Sequence, residues 1–417
     1  MKINERLRSQ LEYVRQSVPF YRDNRVCDSS SLDSFPLINK KNILSEYSNF
    51  ISEDLGIRKN KLVKLLENPT VRQGDSFNEV YEFDNIIIEQ TTGTSGIPFR
   101  CAKTKSERSA ISLEMWKTRR KIDKQLTIQN LFSFNHTGIN RENPNPNDFN
   151  LDHVINLYKK VEFSKSRWLH ASPNTIEKHV DILKNHRDKL SLSDLHYIEF
   201  TGNHYSDETK KKIENFFNVK IVNQYGCIET WAMAMSCNKG HLHVNETLVH
   251  IELLDDNDKI INQLDQPGRV FVTSLINKAF PIIRYQTGDF AKFVDTECSC
   301  NQKGPVIQIL EGREINLIKG LSNKVFGNVL FHKILQRTIF EIPAGKNIKY
   351  IQITQPTLNS FLIEINEFKD VNKVVQEIIN LTKERLNKDF LFEIKILSEN
   401  MIYKRRTEKG HLFLCKC

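Results

Sequence analysis

The sequence predicts an α/β protein: a large N-terminal domain of α/β layers plus a β-rich section, and a small α+β C-terminal domain. Residues 195–222 alternate strand, helix and strand, which favours a parallel sheet. Residues 244–315 are short apolar segments between turn residues, which favours antiparallel strands. The last stretch predicts a helix, two strands, a helix and a strand. We therefore expect two domains, residues 1–315 and residues 316–417.

Apolar spacing and breaker residues define the elements before residue 195. A helix is predicted within residues 1–25, with Leu7, Leu11 and Val14 on one face, and Pro19 ends it because the residue before a proline disfavours helix. Residues 50–84 receive no assignment. The other predicted elements are a short helix after Asn39, strands at 86–88 and 99–102, a helix from Ser106 as N-cap to about Arg120, a strand at 127–135 and a helix from Ser172.

The elements after residue 195 follow the same reasoning. In the α/β layer we predict a strand at 195–200, a helix from Ser206 to Phe217 and a strand at 219–222. In the β-rich section we predict strands at 248–254, 270–275, 281–285, 290–294 and 306–310. In the last domain we predict helices at 328–338 and 370–387 and strands at 349–354, 360–366 and 390–397.

Charge and composition limit the classes of function. The formal net charge of +9 is spread along the chain, which suits small anionic ligands such as nucleotides. Basic residues are not interleaved with aromatic ones, so we do not expect a nucleic-acid partner. No apolar run approaches the roughly 20 residues of a membrane span, and no signal-peptide core follows the N-terminus. We therefore expect a cytoplasmic protein without a membrane span, whose eight cysteines are thiols or metal ligands.

A loop of small and hydroxylated residues is the first candidate ligand site. It runs Thr91, Thr92, Gly93, Thr94, Ser95, Gly96, Ile97 and Pro98. Two glycines allow close approach of the backbone, and four hydroxyls offer donors to phosphate oxygens. The loop lacks the Gly-Lys-Ser/Thr of a Walker loop. The alternative is a plain surface hairpin.

Three further stretches follow this loop in a recognisable order. They are Asn223-Gln224-Tyr225-Gly226-Cys227-Ile228-Glu229, Arg284-Tyr285-Gln286-Thr287-Gly288-Asp289, and Glu311-Gly312-Arg313-Glu314-Ile315-Asn316-Leu317-Ile318-Lys319-Gly320. Together the four stretches resemble those of the adenylate-forming (acyl/aryl-CoA ligase) superfamily. Val18-Pro19-Phe20-Tyr21-Arg22 and Phe35-Pro36-Leu37 with Lys40 are similar to its phenylacetate–CoA ligase branch, which includes capsule-biosynthesis relatives.

The resemblance implies that a carboxylate attacks the α-phosphate of ATP, which gives an acyl-adenylate and pyrophosphate. Negative charge gathers in the transition state, so Mg²⁺ and cationic side chains are expected to stabilise it. The resemblance gives Glu229 as the Mg²⁺ ligand, Asp289 as acceptor of both ribose hydroxyls, and Arg313 as a contact to phosphate or ribose. It places Tyr225 and Gly226 along the adenine, Gly202 with Asn203 as another wall, and Gln224 among the nucleotide-binding residues. Thr91 to Gly96 would bind the triphosphate.

The C-terminal domain of this superfamily rotates about a hinge, which the resemblance places at Asn316. The domain carries a lysine that contacts the α-phosphate, and Lys409 is the candidate here. The order Lys409-Gly410 reverses the usual Gly-Lys. Two other departures are Ile97, where the phosphate loop has a lysine that Arg100 or Lys103 could replace, and Ile228, where a threonine is usual. Asn203 stands where an acidic residue is frequent.

Each key residue also has an ordinary structural interpretation. Glu229 could be a solvated acid at a helix start, Asp289 a turn former and Arg284 a surface ion-pair partner. The pocket for the acid is expected from about 132–139, 168–173 and 200–205. Its aromatic and imidazole side chains fit a pocket and a core equally well: Phe132, Phe134, His136, Trp168 and His204.

A set of cysteines and histidines flanks the β-rich section. Three thiolates and an imidazole, Cys237, His243, Cys298 and Cys300, would form a closed tetrahedral zinc site, with His241 as the competing imidazole. Some phenylacetate–CoA ligase relatives look similar here. A site with four protein ligands leaves no position for water, so the zinc would be structural. The alternative is reduced surface thiols.

The leading hypothesis is an acid–thiol ligase that adenylates an aryl or acyl carboxylic acid with ATP and Mg²⁺. The acyl group then passes to CoA, or to a carrier protein or amine, in a capsule or specialised-metabolite pathway. A second hypothesis is a catalytically silent nucleotide-binding scaffold of the same fold. A third is a zinc-dependent nucleic-acid binder, motivated by the charge and the Cys/His set.

Overall fold

The computed structural model divides the chain into two compact units, each described below by itself. The first contains most of the described residues up to residue 308, and the second contains the described residues after 308 together with residues 288–291. The described residues are 5–24, 27–67, 80–90, 99–134, 140–142, 150–202, 205–295, 298–300, 302–313, 317–321, 325, 327–398 and 413–415.

The N-terminal part of the first unit is helical. Its helices are α1 (Glu5–Ser17), α2 (Pro19–Arg22), α3 (Lys40–Ser45), α4 (Tyr47–Phe50) and α5 (Ile57–Glu67). As predicted, the first helix stops before Pro19, and Leu7, Leu11 and Val14 are buried. The side chain of Asn39 caps α3 by accepting from the backbone of Lys41 and Asn42. Helix α5 lies in the range that sequence reasoning left unassigned.

A small antiparallel sheet and a long helix follow. The strands are β1 (Val80–Phe83), β2 (Ile86–Gln90) and β3 (Arg100–Thr104), and the helix is α6 (Lys105–Ile122). The predicted N-cap Ser106 is wrong by two residues. Thr104 caps α6 instead, because Thr104 and Glu107 form a reciprocal capping box.

An eleven-stranded sheet forms the main layer. Its order is β11-β12-β13-β14-β10-β9-β8-β7-β6-β4-β5. The strands are β4 (Leu131–Ser133), β5 (Asn140–Arg141), β6 (Trp168–Ala171), β7 (Tyr197–Thr201), β8 (Lys220–Cys227), β9 (Trp231–Ser236), β10 (Leu242–Val244), β11 (Val249–Leu254), β12 (Gly268–Ser274), β13 (Tyr285–Val294) and β14 (Val306–Arg313). The predicted α/β class is confirmed.

Strands β4, β6, β7 and β8 are parallel neighbours. The alternating pattern of residues 195–222 predicted this for β7 and β8. Helices on one face cover them: α7 (Leu151–Phe163), α8 (Pro173–Leu183) and α9 (Asp207–Phe217). The core between sheet and helices contains Phe132, Phe134, Leu169, Ile198 and Phe200. On the other face Trp168 packs with Leu126, Leu131, Val222 and Met235. Phe132, Phe134 and Trp168 are therefore core residues.

Two predicted strands differ from the structure. Only Leu131–Ser133 of residues 127–135 is a strand, after a short 3-10 helix at Ile128–Asn130. Residues 281–284 are not a strand, and β13 starts at Tyr285. Arg284 has a φ of +46°, in the left-handed region that strands do not use, and this break separates the apolar residues Ile282 and Ile283 from β13.

The second unit is a small α+β fold. It contains α10 (Gly327–Glu341), β15 (Ile351–Thr357), β16 (Ser360–Asn366), α11 (Val371–Leu386), β17 (Leu391–Leu397) and β18 (Phe413–Cys415). The sheet order is β17-β16-β15-β18. Its core includes Phe331, Phe361, Ile363 and Ile378. Across the described parts of both units, no helix combines the length and apolarity that a membrane crossing requires.

Candidate active site and metal centre

The carboxyl end of β8 brings together several predicted site residues. Thr201 and Gln224 are register partners in neighbouring parallel strands, so Gly202 lies beside Gln224 at this edge. Gly202 has a φ of +85°, in the left-handed region that favours glycine. Ligands of open α/β sheets bind at this edge of the strands. The structure therefore places Gly202, Gln224 and Tyr225 together at the carboxyl edge.

Gly226 permits a tight hairpin between β8 and β9. The pairing of these strands shifts register between Tyr225 and Gly226. A Cβ on Gly226 would lie 2.0 Å from the carbonyl oxygen of Trp231, so no larger residue fits without moving the backbone. The hairpin loop holds Glu229, which follows β8 by two residues. Glu229 is therefore positioned by strand pairing.

The carboxylate of Glu229 is buried and hydrogen-bonded. Only 7% of Glu229 is exposed, so a solvated helix-start acid is the wrong interpretation. The hydroxyl of Tyr285 donates to its Oε1 over 2.7 Å. Burial raises the pKa of Tyr285 well above its usual range, and the charge of Glu229 raises it further. Tyr285 is therefore a neutral donor.

Two more contacts fix the backbone around Glu229. The side chain of Asn277 donates to the carbonyl of Glu229 over 2.8 Å. The ammonium of Lys103 donates to the carbonyl of Ile228 over 2.6 Å and pairs with Glu89 over 3.0 Å. Lys103 is fully buried, so it is not the exposed cation that the phosphate loop would need in place of Ile97. Arg100 is also held internally, by Gln90 and the carbonyl of Leu65.

Glu89 joins the small sheet to the β8–β9 hairpin. The indole of Trp231 donates to the same Glu89 oxygen over 2.8 Å, and Trp231 has a φ of +65° at the start of β9. The guanidinium of Arg108 lies 4.5 Å from the centre of the Trp231 ring. Sequence reasoning missed this network. Glu89 and Lys103 are diagonal neighbours on the paired strands β2 and β3, but they lie more than a hundred residues before the loop they support.

Lys40 lies in the electrostatic field of the same carboxylate. Its partial burial lowers the pKa of the ammonium, and Glu229 acts in the opposite direction.

The loop before β13 differs from expectation. Arg284 is buried and forms a bidentate ion pair with Glu252 at 3.1 and 3.0 Å, and it donates to the carbonyl of Phe35. The alternative interpretation of Arg284 as a surface ion-pair partner is therefore wrong, because its ion pair is buried.

The positions of several predicted site residues relative to the β8–β9 hairpin are not described. Thr91, Thr92, Gly93, Thr94, Ser95, Gly96, Asn203 and Lys409 lie outside the described residues. The backbone of Arg313 ends β14, and its side chain also lies outside them. Asp289 lies within β13 in a segment that groups with the second unit. The roles of these residues stay predictions.

A polar row, buried at Ser133 and Glu199 and partly buried at His170, lies on the sheet face opposite to α7 and α8. Ser133, His170 and Glu199 are register partners on β4, β6 and β7. Arg119 of α6 donates to both oxygens of Glu199, at 2.8 and 2.7 Å, and the indole of Trp168 donates over 2.8 Å. Burial raises the pKa of Glu199, but Arg119 and its hydrogen bonds hold the value below the usual range. The row ends near the carboxyl edge.

The predicted zinc ligands form one cluster within the first unit. The donor atoms of Cys237, His243, Cys298 and Cys300 all lie within 4.8 Å of one another. The sulfurs of Cys237 and Cys298 are 3.6 Å apart, and Cys300 Sγ is 3.3 Å from His243 Nε2. A tetrahedron with zinc–sulfur bonds of about 2.3 Å has edges of about 3.8 Å. The cluster therefore fits a zinc ion, and His243 rather than His241 completes it.

The surrounding backbone supports the four donors. His243 Nδ1 lies 3.3 Å from the carbonyl of Gly304, which leaves Nε2 toward Cys300. Backbone N–H groups of Lys239 and Gln302 donate to the sulfurs of Cys237 and Cys300. Such donors stabilise thiolates. Six cysteines are free of disulfides, as a thiol or ligand role requires: Cys27, Cys101, Cys227, Cys237, Cys298 and Cys300.

Comparisons with solved structures identify the fold. One match is 2-hydroxyisobutyryl-CoA ligase in the postadenylation state with an acyl-AMP, with a TM-score of 0.64, 13% identity, and coverage of 99% of this chain and 88% of that one. The same ligase with 2-HIB-AMP and CoA in the thioesterification state gives a TM-score of 0.56 at 15% identity. That match covers 98% of this chain and 88% of the ligase. A structure from work on fatty acyl-adenylate ligases of E. coli and L. pneumophila gives a TM-score of 0.54 at 12% identity. That match covers 73% of this chain and 64% of the other.

The chain thus has the fold of the adenylate-forming acyl-CoA ligases. The expected superfamily fold is confirmed, and the phenylacetate–CoA ligase branch stays a prediction. No protein-family model matches the sequence, and no curated protein matches it.

Proposed function

We propose that this protein is an ATP-dependent ligase that adenylates a carboxylic acid and transfers the acyl group to CoA or another acceptor. The observation that carries the proposal is the buried carboxylate of Glu229 in the hairpin after β8, which accepts a hydrogen bond from Tyr285 of β13. It lies at the carboxyl edge of a sheet in a chain with the fold of acyl-CoA ligases. A buried carboxylate at that edge suits a cation bound together with phosphate oxygens.

Glu229 would hold Mg²⁺, and its surroundings fit this task. Tyr285 is a neutral hydrogen-bond donor, so it orients the carboxylate without cancelling its charge. Asn277 and Lys103 hold the hairpin backbone on either side of the Cα of Glu229. Mg²⁺, when bound, would neutralise phosphate charge as the acid oxygen bonds to the α-phosphorus and pyrophosphate leaves. The role of this chain would be to hold the Glu229 carboxylate in position before Mg²⁺ binds.

The remaining nucleotide contacts are proposed from the sequence motifs. Thr91 to Gly96 would donate to the triphosphate, and Gln224, Tyr225 and Gly226 would line the adenine with Gly202 and Asn203. Asp289 would accept the ribose hydroxyls. Arg313 and Lys409 would contact the phosphates, with residues 316–417 rotating about Asn316 after adenylation. The carboxyl-edge placement of Gly202, Gln224 and Tyr225 supports the adenine part of this proposal.

The acid and the acceptor are proposed only as classes. The acid is an aryl or acyl carboxylic acid, and the matched ligase makes 2-hydroxyisobutyrate a reasonable member of any test panel. CoA is the expected acceptor, with a carrier protein or an amine as variants. In the second step the acceptor thiol would attack the acyl carbon and AMP would leave. We assign a structural zinc to Cys237, His243, Cys298 and Cys300, because all four donors come from the chain.

ATP–pyrophosphate exchange tests this proposal directly. Exchange that appears with one acid of a broad panel, and falls about a hundredfold or more in Glu229→Gln, would support it. The control is Glu208→Gln, an exposed acid at the start of α9 that we expect to leave exchange unchanged. Thermal protection by ATP without exchange for any acid would instead indicate a silent scaffold. Exchange that survives in Glu229→Gln would remove Glu229 from the mechanism.

A further inference from the structure

Strand β17 is an apolar edge strand in the second unit. It pairs in parallel with β16 along its whole length, Ser360 to Leu391 through Asn366 to Leu397. It is the last strand of its sheet, so its other edge has no strand partner among the described residues. An unpaired edge carries a row of backbone donors and acceptors that can pair with another chain.

The side chains of β17 alternate between two faces. Phe392, Ile394 and Ile396 share the face of the core residues Phe361, Ile363 and Ile365 on β16. The ring centres of Phe361 and Phe392 are 5.6 Å apart, which confirms the shared face. The β16 residues are 0% exposed, whereas Ile394 and Ile396 are 45% and 40% exposed. The apolar row of the core thus continues beyond the area that the rest of the unit covers.

The opposite face of β17 carries Glu393 and Lys395 with Leu391 and Leu397. Glu393 and Lys395 are both exposed, and Lys395 lies 3.8 Å from Glu364 of β16. Exposed lysines on an edge strand usually discourage pairing with another chain. Here, however, the two charges have opposite signs and flank Ile394 symmetrically. The sequence Leu-Phe-Glu-Ile-Lys-Ile-Leu is therefore self-complementary about its centre.

We propose that β17 pairs with β17 of a second copy of this chain, antiparallel and centred on Ile394. In this register Glu393 lies opposite the second copy's Lys395, and Phe392 lies opposite the second copy's Ile396. Both contacts occur twice by symmetry. Cross-strand pairs of opposite charge, and of aromatic with β-branched residues, stabilise antiparallel strands. Pairing would cover the exposed isoleucines and join two four-stranded sheets into one of eight strands.

The proposed partner is a second copy of this chain because Glu393 and Lys395 are complementary to the same two residues of an antiparallel copy. A two-fold axis through Ile394 matches both charges at once, and it requires no partner of another sequence. A one-residue slip would place the apolar row against the charged face, so the pairing has one favoured register. The proposal is independent of catalysis.

Substitutions that reverse the charges of Glu393 and Lys395 in the whole chain test the pairing. Glu393→Lys alone and Lys395→Glu alone each place like charges opposite one another, and we expect each to weaken self-association about tenfold. The double variant Glu393→Lys with Lys395→Glu restores opposite charges and should restore association. An equimolar mixture of the two single variants should form a mixed dimer. Sedimentation velocity over a concentration series measures all four cases.

A matched control and a second measurement complete the test. Lys373→Glu changes an exposed lysine of α11 in the same unit and should leave association unchanged. Hydrogen exchange of the β17 amides should slow as protein concentration rises. Circular dichroism checks that each variant is folded. A wild type that stays monomeric at about 1 mM, or a dimer equally strong in both single variants, would overturn the proposal.

Discussion

Tyr285 donates its hydroxyl to the buried carboxylate of Glu229 over 2.7 Å, across 56 residues of sequence. Because the pKa of Tyr285 is raised well above its usual range, first by burial and then by Glu229, the hydroxyl keeps its proton. A lysine at this position would neutralise the carboxylate. A tyrosine orients it and leaves its charge available. The pair therefore suits the cation-binding role that we propose for Glu229.

Replacing this donor is the first test of the pair. Tyr285→Phe removes a hydrogen bond to a charged group and leaves the ring packing in place, so we expect acid-dependent pyrophosphate exchange to fall about tenfold. The Mg²⁺ concentration required for half-maximal exchange should rise. Tyr47→Phe is the matched control, because Tyr47 is also buried but donates to the carbonyl of Arg100. Equal losses in both variants would mean that burial alone accounts for the effect.

The buried pair of Arg119 and Glu199 predicts a large effect on stability. Arg119→Met would leave Glu199 fully buried without its counter-charge, at a cost of about 3–5 kcal/mol in the free energy of unfolding. Adding Glu199→Gln should recover part of that loss, since the amide still accepts from Trp168. Urea unfolding measures both variants.

The control for this prediction lies on the same helix. Lys117 pairs with Glu114 at 2.6 Å, but Lys117 is exposed. Lys117→Met should therefore change stability by about 0.5 kcal/mol or less. A cost for Arg119→Met that is no larger than this would show that the buried pair contributes little.

His179 predicts how stability depends on pH. Burial lowers the pKa of His179 from 6.5 to about 4. The unfolded chain takes up this proton near pH 6.5, but the folded chain does not until about pH 4. Between those values the unfolded state binds more protons, so the free energy of unfolding should fall as pH falls, by at most about 3 kcal/mol from this group.

Substitution of His179 should reduce that slope. In His179→Gln, the loss of stability between about pH 7 and about pH 4.5 should be smaller than in the wild type, as measured by urea unfolding. His196→Gln is the control, since His196 is exposed. Identical slopes in the wild type and His179→Gln would contradict the assignment. His170 and His250, whose pKa values burial also lowers, would keep part of the slope in both proteins.

The Cys/His cluster predicts one zinc ion per chain. Cys298→Ser should reduce the zinc content and lower the melting temperature by several degrees, because metal binding contributes to folding. Cys27→Ser is a matched control, since Cys27 is a buried free thiol outside the cluster. Metal analysis of the purified protein measures the content. Wild-type protein that lacks zinc after growth and purification with zinc present would show that the four donors serve another purpose.

Local patterns in the sequence account for many of the elements. The strand, helix and strand of residues 195–222 were predicted because their periodicity and the Ser206 cap are local properties. Helix α7 was missed, although Asn150 caps it and its apolar residues have helical spacing. The Thr104 cap was missed although Thr-x-x-Glu is a known signature. The information for both lay in the sequence.

The sequence by itself determined the α/β class, the order of the site motifs and the set of candidate metal ligands, since these depend on residue type and local spacing. Only the tertiary structure decided which groups meet: Tyr285 with Glu229, Lys103 with Glu89 and Ile228, and His243 rather than His241 with Cys300. These contacts join residues that are distant along the chain. Their geometry follows from strand register and packing, which no local pattern of residues specifies.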